Sequence, residues 1–263
     1  DDAVIDNLRG MFDAPLSPSL ALIPGGNDEF NRWLQVNTRD HRTAGYRSVI
    51  VSLKRPGIAP GDMSSALMRE LSDLADQFSL GEIRVTHDQN LILPHVPHNG
   101  LPALYARLCP LGLAHANSGL ITDAIACPGL DFCSLANAPT ISLADELHNA
   151  FSDLAEQQSI GPLEIKISGC MNACGHHHIG HIGILGVEKS STPWYQITLG
   201  GRDQQGAVLG QRLGPAVGEQ EVIPLIRRLI DSYLEQRLDA EWFVHFVELV
   251  GIEPLKAAAY AIH

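Results

Sequence analysis

The sequence predicts an α+β fold made of two successive domains. In the first half, strand-like and helix-like stretches follow one another in the order β-α-β-β-α, which is the order of the split βαβ, or ferredoxin-like, unit. In the second half, two pairs of cysteines flank a helix and a strand, and further strands and helices follow. We therefore expect a ferredoxin-like domain followed by an α/β domain organised around its cysteines.

The elements of the first half follow from residue periodicity. Residues 46–53 alternate and are rich in β-branched side chains, which predicts a strand. Residues 62–78 carry apolar side chains at helical spacing, which predicts a helix. Two strands and a second helix follow at 82–86, 89–96 and 101–108. Together these stretches complete the split βαβ order.

The second half continues the alternation around the cysteines. Residues 142–155 are predicted to form a helix with Ser142 as its N-cap. The same criteria predict strands at 164–168, 183–187 and 194–199, and helices at 219–237 and 240–250. Gly251 to Pro254 should end the last helix. We place an entry linker at 1–26, the ferredoxin-like half-domain at 27–110, the cysteine domain at 111–238 and a helical tail at 239–263.

Composition and charge narrow the class of protein. The chain has 263 residues and 45% apolar residues, which suits a globular protein with a sizeable core. Its formal net charge is −12, from 18 basic and 30 acidic residues, so we expect neither nucleic acid nor a membrane surface as a partner. Nothing at its start resembles a signal peptide, and the cysteines are clustered. We therefore expect a cytoplasmic location.

Four of the five cysteines form two pairs, Cys127-x5-Cys133 and Cys170-x3-Cys174. Disulfides are disfavoured because a chain of this length builds a core without covalent links. Structural zinc is a second interpretation, although zinc pairs are usually separated by two to four residues. A [4Fe–4S] cluster is the third, and it accepts wider and irregular spacing. The fifth cysteine, Cys109, lies in an apolar turn and is expected to be buried.

The wording of the two cysteine loops resembles one family. The first loop reads ACPGLDFC and the second reads GCMNACG, and the pair is similar to the sirohaem and [4Fe–4S] signature of assimilatory sulfite and nitrite reductases. The resemblance implies that all four cysteines hold the cluster and that Cys174 is also the axial ligand of the sirohaem iron. Cys174 is thereby the expected catalytic residue, and Asn172 is expected to contact the cofactor.

A second phrase in the first domain carries the same resemblance. It reads Arg-Val-Thr-His-Asp-Gln-Asn over residues 84–90, and in the family this Arg-x-Thr-x-x-Gln-Asn phrase faces the sirohaem. The resemblance implies that Arg84, Gln89 and Asn90 bind the cofactor. A guanidinium fork matches a carboxylate with two hydrogen bonds, although a single arginine on a strand is more often a solvated charge.

Glycines and histidines accompany the second cysteine pair. Gly169 and Gly175 bracket this pair, and we expect the backbone to approach the cluster closely there, with amides donating to sulfur. Amides of a helix after Cys174 are expected to stabilise the thiolates too. His176, His177, His178 and His181 follow. At helical spacing they could join a zinc site, but we expect packing roles for them, with His176 beside the cofactors.

The resemblance, which begins near residue 30, implies a function. The chain is expected to be the C-terminal half of a reductase that converts sulfite to sulfide or nitrite to ammonia with six electrons. Its partners would be the N-terminal half, which supplies the basic residues that are scarce here, and a ferredoxin or flavoprotein donor. The HHHIGH wording favours sulfite. A non-catalytic Cys/His zinc module is the alternative from another class, and a sirohaem protein with another substrate is a third.

Overall fold

The computed structural model describes residues 28–189, 192–203, 206–239 and 241–261. The predicted entry linker at 1–26 lies outside these ranges. The chain divides into two compact units. Of the described residues, the first unit contains 28–53 and 63–116, and the second contains 54–62 and those from Asn117 onward.

The first unit is built on a four-stranded antiparallel sheet with the order β1-β2-β4-β3. Its strands are β1 (Thr38–Asp40), β2 (Tyr46–Val51), β3 (Arg84–Val85) and β4 (Leu91–Pro97). Its helices are α1 (Asp28–Asn37), α2 (Ser65–Phe78) and α3 (Leu101–Leu108). The order from β2 to α3 is β-α-β-β-α, so the predicted split βαβ unit is confirmed.

Burial of apolar side chains explains why the elements of the first unit assemble. Trp33 of α1, Leu71 and Leu74 of α2 and Leu104 of α3 share one apolar core with the sheet residues Val49 and Leu93. Each of these side chains is at most 1% exposed, and burying a large apolar side chain contributes about 1.5–3 kcal/mol. Helix α2 begins where Ser64 accepts a hydrogen bond from the amide of Leu67 at 3.2 Å.

The second unit is built on a mixed sheet with the order β10-β8-β7-β6-β5, and β9 pairs with β8. Its strands are β5 (Ile125–Ala126), β6 (Ile165–Ser168), β7 (Ile182–Lys189), β8 (Thr192–Leu199), β9 (Gln211–Arg212) and β10 (Val217–Gly218). Strands β5, β6 and β7 are parallel, and the other pairings are antiparallel. The carboxyl ends of β5 and β6 therefore meet at one edge of the sheet.

Helices of the second unit pack on this sheet around one apolar core. They are α4 (Gly129–Phe132), α5 (Ile141–Ala150), α6 (Leu154–Ile160), α7 (Glu219–Gln236), α8 (Phe243–Val250) and α9 (Ile252–Ala259). Strand β6 is buried along its whole length, as expected for a strand with neighbours on both sides. None of the helices in the described ranges is long and apolar enough to span a membrane.

Two predicted helices are wrong in detail. The single helix expected at 142–155 is two helices, because Asp153 accepts from the amide of Glu156 at 2.8 Å and starts α6 as its N-cap. Ser142 is not a cap, since α5 begins after Thr140. Gly251, at φ +79°, does end α8, but Pro254 then lies in the first turn of α9, where proline is tolerated. Helix α1 and strand β1 had no counterpart in the sequence prediction.

Candidate functional site

The two cysteine loops leave the sheet from neighbouring parallel strands. Ala126 of β5 pairs with Ile167 of β6, and Cys127 follows the first strand while Gly169 and Cys170 follow the second. The amide of Cys127 donates to the carbonyl of Ile167 at 3.1 Å. Strand pairing therefore brings the loops together although Cys127 and Gly169 are 42 positions apart in the sequence.

The loops are joined most closely at Gly169. Its amide donates to Sγ of Cys127 at 3.1 Å, in a buried position. Its carbonyl accepts from the amides of Asn137 at 2.7 Å and Ala138 at 3.2 Å. An amide aimed at a sulfur stabilises a thiolate, so the expected donation from backbone to sulfur is present at Cys127 before any metal is considered.

Glycines make this contact between loops possible. A Cβ on Gly169 would lie 2.9 Å from Cα of Gly129 and 2.9 Å from the carbonyl oxygen of Ala138, closer than real Cβ atoms come. A Cβ on Gly175 would overlap the carbonyl oxygen of Ile167. At Gly169 and Gly175 the close neighbour is the protein's own backbone, and the expected approach of these glycines to a cluster stays a prediction.

The loop around Cys174 is tightly turned and holds no helix. Ala173 and His176 both have left-handed backbone, at φ +56° and +55°, which costs about 1–2 kcal/mol per non-glycine residue. The chain continues as a short 3-10 turn at His177–Ile179. The expected stabilisation of thiolates by a helix after Cys174 is therefore wrong, because the turn is too short to present a helical N-terminus. Backbone strain of this kind is concentrated at functional sites.

The cysteines differ in exposure. Cys127 and Cys170 are buried, Cys133 is intermediate and Cys174 is exposed. Large apolar side chains beside them are also exposed, namely Phe132 at 83%, Leu135 at 69% and Met171 at 81%. Asn172 is exposed as well. These apolar side chains form a rim around the cysteine loops, and the rim is exposed to solvent in this chain.

Cys109 is exposed and not buried as predicted, because the turn at the end of α3 places it outside the apolar core of the first unit.

The described residues do not form a compact site for a single metal ion. Within the described ranges, no three His, Cys, Asp or Glu side chains converge on one ion position. A tetrahedral zinc site requires four ligands about 2.3 Å from one ion. The arrangement therefore gives no support to the zinc alternative, whereas a larger cluster body accepts thiolates that are further apart.

The histidines after Cys174 have packing contacts. His177 is 5% exposed, and its Nε2 lies 3.0 Å from Nδ1 of His178. Burial, reinforced by His178, lowers the pKa of His177 to about 4. Nδ1 of His181 accepts from the amide of Glu164 at 3.1 Å, and burial also lowers its pKa to about 4. Both rings are neutral at pH 7, as packing residues would be. His176 is exposed.

In the first unit, the phrase from Arg84 to Asn90 forms a tight turn. Thr86 Oγ1 accepts from the amides of Asp88 at 3.2 Å and Asn90 at 3.0 Å, and Gln89 has left-handed backbone at φ +56°. Asn90 is 2% exposed, and its Oδ1 accepts from the amide of Leu53 at 3.0 Å. These contacts place Asn90 in the scaffold of the turn. Arg84 lies on the edge strand β3 with 57% of its side chain exposed.

Two buried lysines were not singled out from the sequence. Lys54 Nζ lies 2.9 Å from Asp123 Oδ1, and their side chains are 2% and 7% exposed. Asp123 also accepts from the amide of Gly119 at 2.8 Å. Lys166 Nζ, with its side chain 1% exposed, lies 2.7 Å from Asp203 Oδ2. The partners in these two pairs are 69 and 37 positions apart in the sequence, so no local sequence pattern predicts the pairs.

Comparison with known proteins assigns a family to each unit. The family model described as the nitrite/sulfite reductase ferredoxin-like half domain matches residues 42–111. The model described as the nitrite and sulphite reductase 4Fe-4S domain matches residues 119–261. A protein named sulfite reductase (ferredoxin) 2 from Mycolicibacterium paratuberculosis is 30% identical over 206 residues, which are 74% of this chain and 37% of that protein.

Other relatives agree with these matches. The sulfite reductase (NADPH) hemoprotein beta-component of Geobacillus kaustophilus is 30% identical over 190 residues, which are 71% of this chain and 32% of that protein. The structure of Mycobacterium tuberculosis NirA superposes with a TM-score of 0.67 at 25% identity, and the match covers 84% of this chain and 41% of NirA. The chain thus spans well under half the length of these proteins. With more than half of its residues in the 4Fe-4S domain match, the chain belongs to the nitrite and sulfite reductase family.

Proposed function

We propose that the chain is the C-terminal, cofactor-binding part of a sirohaem-dependent reductase that reduces sulfite to sulfide, with nitrite to ammonia as the second substrate choice. The observation that carries this proposal is the junction at Gly169, where one cysteine loop donates a buried amide hydrogen bond to a cysteine of the other loop. Such an arrangement prepares thiolates for iron before iron binds. The names of the relatives, which are sulfite reductases, favour sulfite.

The residues present fit a [4Fe–4S] cluster. Four thiols from two adjoining loops form a soft and anionic donor set, and Gly169 supplies an amide to one of them. In our proposal Cys127, Cys133, Cys170 and Cys174 hold the cluster. Cys127 and Cys170 are buried and Cys174 is exposed, which would leave one side of the cluster covered by protein and the other side open at Cys174.

The same loops fit a macrocycle at their open side. Cys174 is exposed between Asn172 and the left-handed His176, and Phe132 and Met171 expose apolar surface on the two loops. We propose that Cys174 Sγ also ligates the sirohaem iron and that the apolar rim covers part of the ring. When bound, the two groups would supply single electrons for the reduction, and Cys174 would hold both of them. The chain's own residues hold the groups and exclude water there.

In the first unit, Arg84 and Gln89 are proposed to contact sirohaem as well. Arg84 is exposed on an edge strand, where a guanidinium can reach a carboxylate. Asn90 belongs to the same Arg-x-Thr-x-x-Gln-Asn phrase and is therefore also proposed to bind sirohaem. Its hydrogen bonds to Leu53 and Thr86 hold the turn in place. We propose two partners for this chain. They are the N-terminal half of the enzyme and an electron donor, which is a ferredoxin or a flavoprotein. The proposed location is the cytoplasm.

Cluster loading tests the assignment of the four cysteines. Cys127→Ser and Cys174→Ser should each lose most of the iron and acid-labile sulfide of anaerobically purified protein, because a hydroxyl is a poor ligand for iron in a cluster. Cys109→Ser is the matched control, since Cys109 is also an exposed thiol but lies in the first unit. It should keep the iron content of the wild type.

The outcomes separate the proposed functions. Full iron in Cys174→Ser protein would contradict the shared ligand, and stoichiometric zinc in colourless wild-type protein would favour the structural zinc module. We also expect no steady oxidation of reduced methyl viologen by sulfite or nitrite with the isolated, cofactor-loaded chain. Basic residues that bind the anion would come from the N-terminal half. Turnover by the chain alone would show that this half is not needed.

A further inference from the structure

A chain of hydrogen bonds crosses the sheet of the first unit and ends at Arg84. His41, which follows β1, has its Nε2 3.1 Å from Nδ1 of His95 on β4. Nε2 of His95 lies 3.0 Å from Oε2 of Glu82. Oε1 of Glu82 in turn accepts from Nε of Arg84 at 2.6 Å. Four side chains from three parts of the sheet therefore form one continuous path.

An irregularity in the sheet brings His95 into this path. Arg47 of β2 pairs with Val96, but Val49 pairs with Leu93, so two residues of β4 stand opposite one residue of β2. His95 is one of the two, and its amide donates to Ser79 Oγ at 3.1 Å. A β-bulge of this kind redirects a side chain and is common next to active sites.

The direction of proton donation along the path is fixed at Glu82. An ionised carboxylate only accepts hydrogen bonds. The hydrogen bond from Arg84 lowers the pKa of Glu82 below its ordinary value against the opposing effect of burial, and the hydrogen bond from His95 adds to the lowering. His95 Nε2 and Arg84 Nε must therefore both donate to Glu82. Neutral His95 then accepts at Nδ1 from His41 Nε2.

The backbone of Thr43 lets this path keep its hydrogen bonds in two protonation states. Nδ1 of His41 lies 2.9 Å from the amide nitrogen of Thr43 and 3.2 Å from its carbonyl oxygen. His41 can thus accept from the amide when both rings are neutral, or donate to the carbonyl when His95 carries a second proton. In either state His95 donates to Glu82, so the anchoring of Glu82 does not depend on the protonation of the rings.

Because Glu82 accepts from Nε of Arg84, the other two nitrogens of the guanidinium are left to bind a ligand. Glu82 engages Nε, which lies at the inner edge of the guanidinium. The two terminal nitrogens, Nη1 and Nη2, form the fork that matches a carboxylate. A guanidinium that is 57% exposed would otherwise sample many rotamers, and ordering such a side chain on binding costs free energy.

We propose that Glu82, oriented by His95 and His41, is a positioning residue that holds the guanidinium of Arg84 by its Nε edge and presents its Nη fork to a cofactor carboxylate. This inference rests on the proposed function, which assigns Arg84 to sirohaem. The inference extends the sirohaem assignment of Arg84 to Glu82, His95 and His41, which lie outside the Arg-x-Thr-x-x-Gln-Asn phrase. Glu82 itself need not touch the cofactor.

The rate of sirohaem loss from the holoprotein tests the inference. Glu82→Gln replaces an ionised carboxylate by a neutral amide, whose hydrogen bond to the Arg84 guanidinium lacks charge assistance. We therefore expect sirohaem to dissociate about tenfold faster, which corresponds to 1.4 kcal/mol. Arg84→Ala should have at least this effect. The double variant should lose sirohaem no faster than Arg84→Ala. Glu70→Gln, which changes an exposed glutamate of α2, is the control and should match the wild type.

A measurement without cofactor release separates positioning from overall stability. In 15N-labelled protein, the Nε–H of Arg84 should exchange slowly with solvent in the wild type and rapidly in Glu82→Gln. His95→Gln retains an amide that can donate to Glu82, so it should keep more of this protection than His95→Ala. A thermal unfolding midpoint equal to that of the wild type would show that the variants are folded.

Each outcome decides between the inference and the function on which it rests. Wild-type rates of loss in Glu82→Gln, together with fast loss in Arg84→Ala, would overturn the positioning role and leave Arg84 as a cofactor ligand. Wild-type rates in Arg84→Ala would overturn both roles while sirohaem binding by the cysteine loops stands. Wild-type protein that takes up no sirohaem would contradict the proposed function itself, and the inference with it.

Discussion

The cysteine loops of the second unit and the Arg84 edge of the first unit are organised in opposite ways. Backbone atoms form the loops: amides and carbonyls near Gly169 bond across them, and Gly175 is pressed against Ile167. Side chains form the edge: Arg84 is held through Glu82 on a strand whose residues are exposed.

This difference indicates how each region should respond to change. Where backbone contacts fix a site, the smallest side chain is required at particular positions and a single methyl group causes overlap. Where side chains fix a site at an exposed edge, a substitution removes one hydrogen bond and water replaces it. The loops should therefore fail through loss of folding stability, and the edge through loss of ligand binding alone.

The largest expected effect is at Gly175. Gly175→Ala should destabilise the protein by about 3 kcal/mol or more, because the added Cβ overlaps a buried carbonyl that cannot move without shifting β6. Urea denaturation measures the change. Gly218→Ala is the matched control, since its Cβ meets nothing within 4 Å, and we expect a change below about 1 kcal/mol at this N-cap. Equal stability of both variants would remove the distinction between backbone-built and side-chain-built regions.

The next effect is the dependence of stability on pH at His181. Its folded pKa is about 4, below the ordinary value of 6.5, so the folded state favours the neutral ring. The neutral His181 ring therefore contributes to the free energy of unfolding. The contribution is fully present above pH 6.5 and is lost as pH falls from 6.5 towards 4, by at most about 3 kcal/mol. His181→Asn keeps an acceptor for the Glu164 amide without titrating. The variant should lose less stability than the wild type between pH 7 and pH 4.5 in urea denaturation, and parallel curves would contradict the buried neutral ring.

The turn after Arg84 should show an intermediate effect. Thr86→Ala removes the hydroxyl that accepts from two amides of the turn, and we expect a loss of about 1–2 kcal/mol. Thr86→Ser keeps the hydroxyl and should retain most of the stability. Hydrogen exchange at the amide of Asn90 reports the same change locally. If that amide stays protected in Thr86→Ala, the turn is held by other contacts.

The smallest stability effect should be at the exposed edge itself. Arg84→Ala and Glu82→Gln should each change the free energy of unfolding by less than about 1 kcal/mol, because exposed ion pairs contribute little. Thermal and urea unfolding measure this, and the same samples serve for the sirohaem measurements. A large loss of stability in either variant would make the edge a structural element, and the contrast with the cysteine loops would disappear.

Much of this protein follows from local sequence patterns. The β-α-β-β-α order of the first unit was predicted from alternation and helical spacing, and the helix at Leu101–Leu108 has the predicted bounds. Apolar periodicity predicts such elements because each one buries a single face. The cysteine loops were predicted from their spacing and wording. Helix ends were less certain, as the split at Asp153 shows, since one capping side chain starts a new helix.

Contacts between distant residues could not be predicted in this way. Nothing in the sequence around Asp123 predicts its partner, yet its carboxylate is buried against Lys54. An ion pair of this kind depends on where two chain segments pass each other, and no periodic pattern encodes that. The bulge that brings His95 beside Glu82 is likewise a property of the register between β2 and β4.

Local sequence patterns were enough to predict the β-α-β-β-α order of the first unit, the two cysteine pairs and the resemblance to the reductase family, because periodicity and short motifs are local properties of the chain. Three features depend on the folded arrangement: the backbone amide that reaches a cysteine sulfur, the burial of Cys127 beside the exposure of Cys174, and the hydrogen bond from Arg84 to Glu82. These features arise where strands of fixed register bring remote residues within hydrogen-bonding distance.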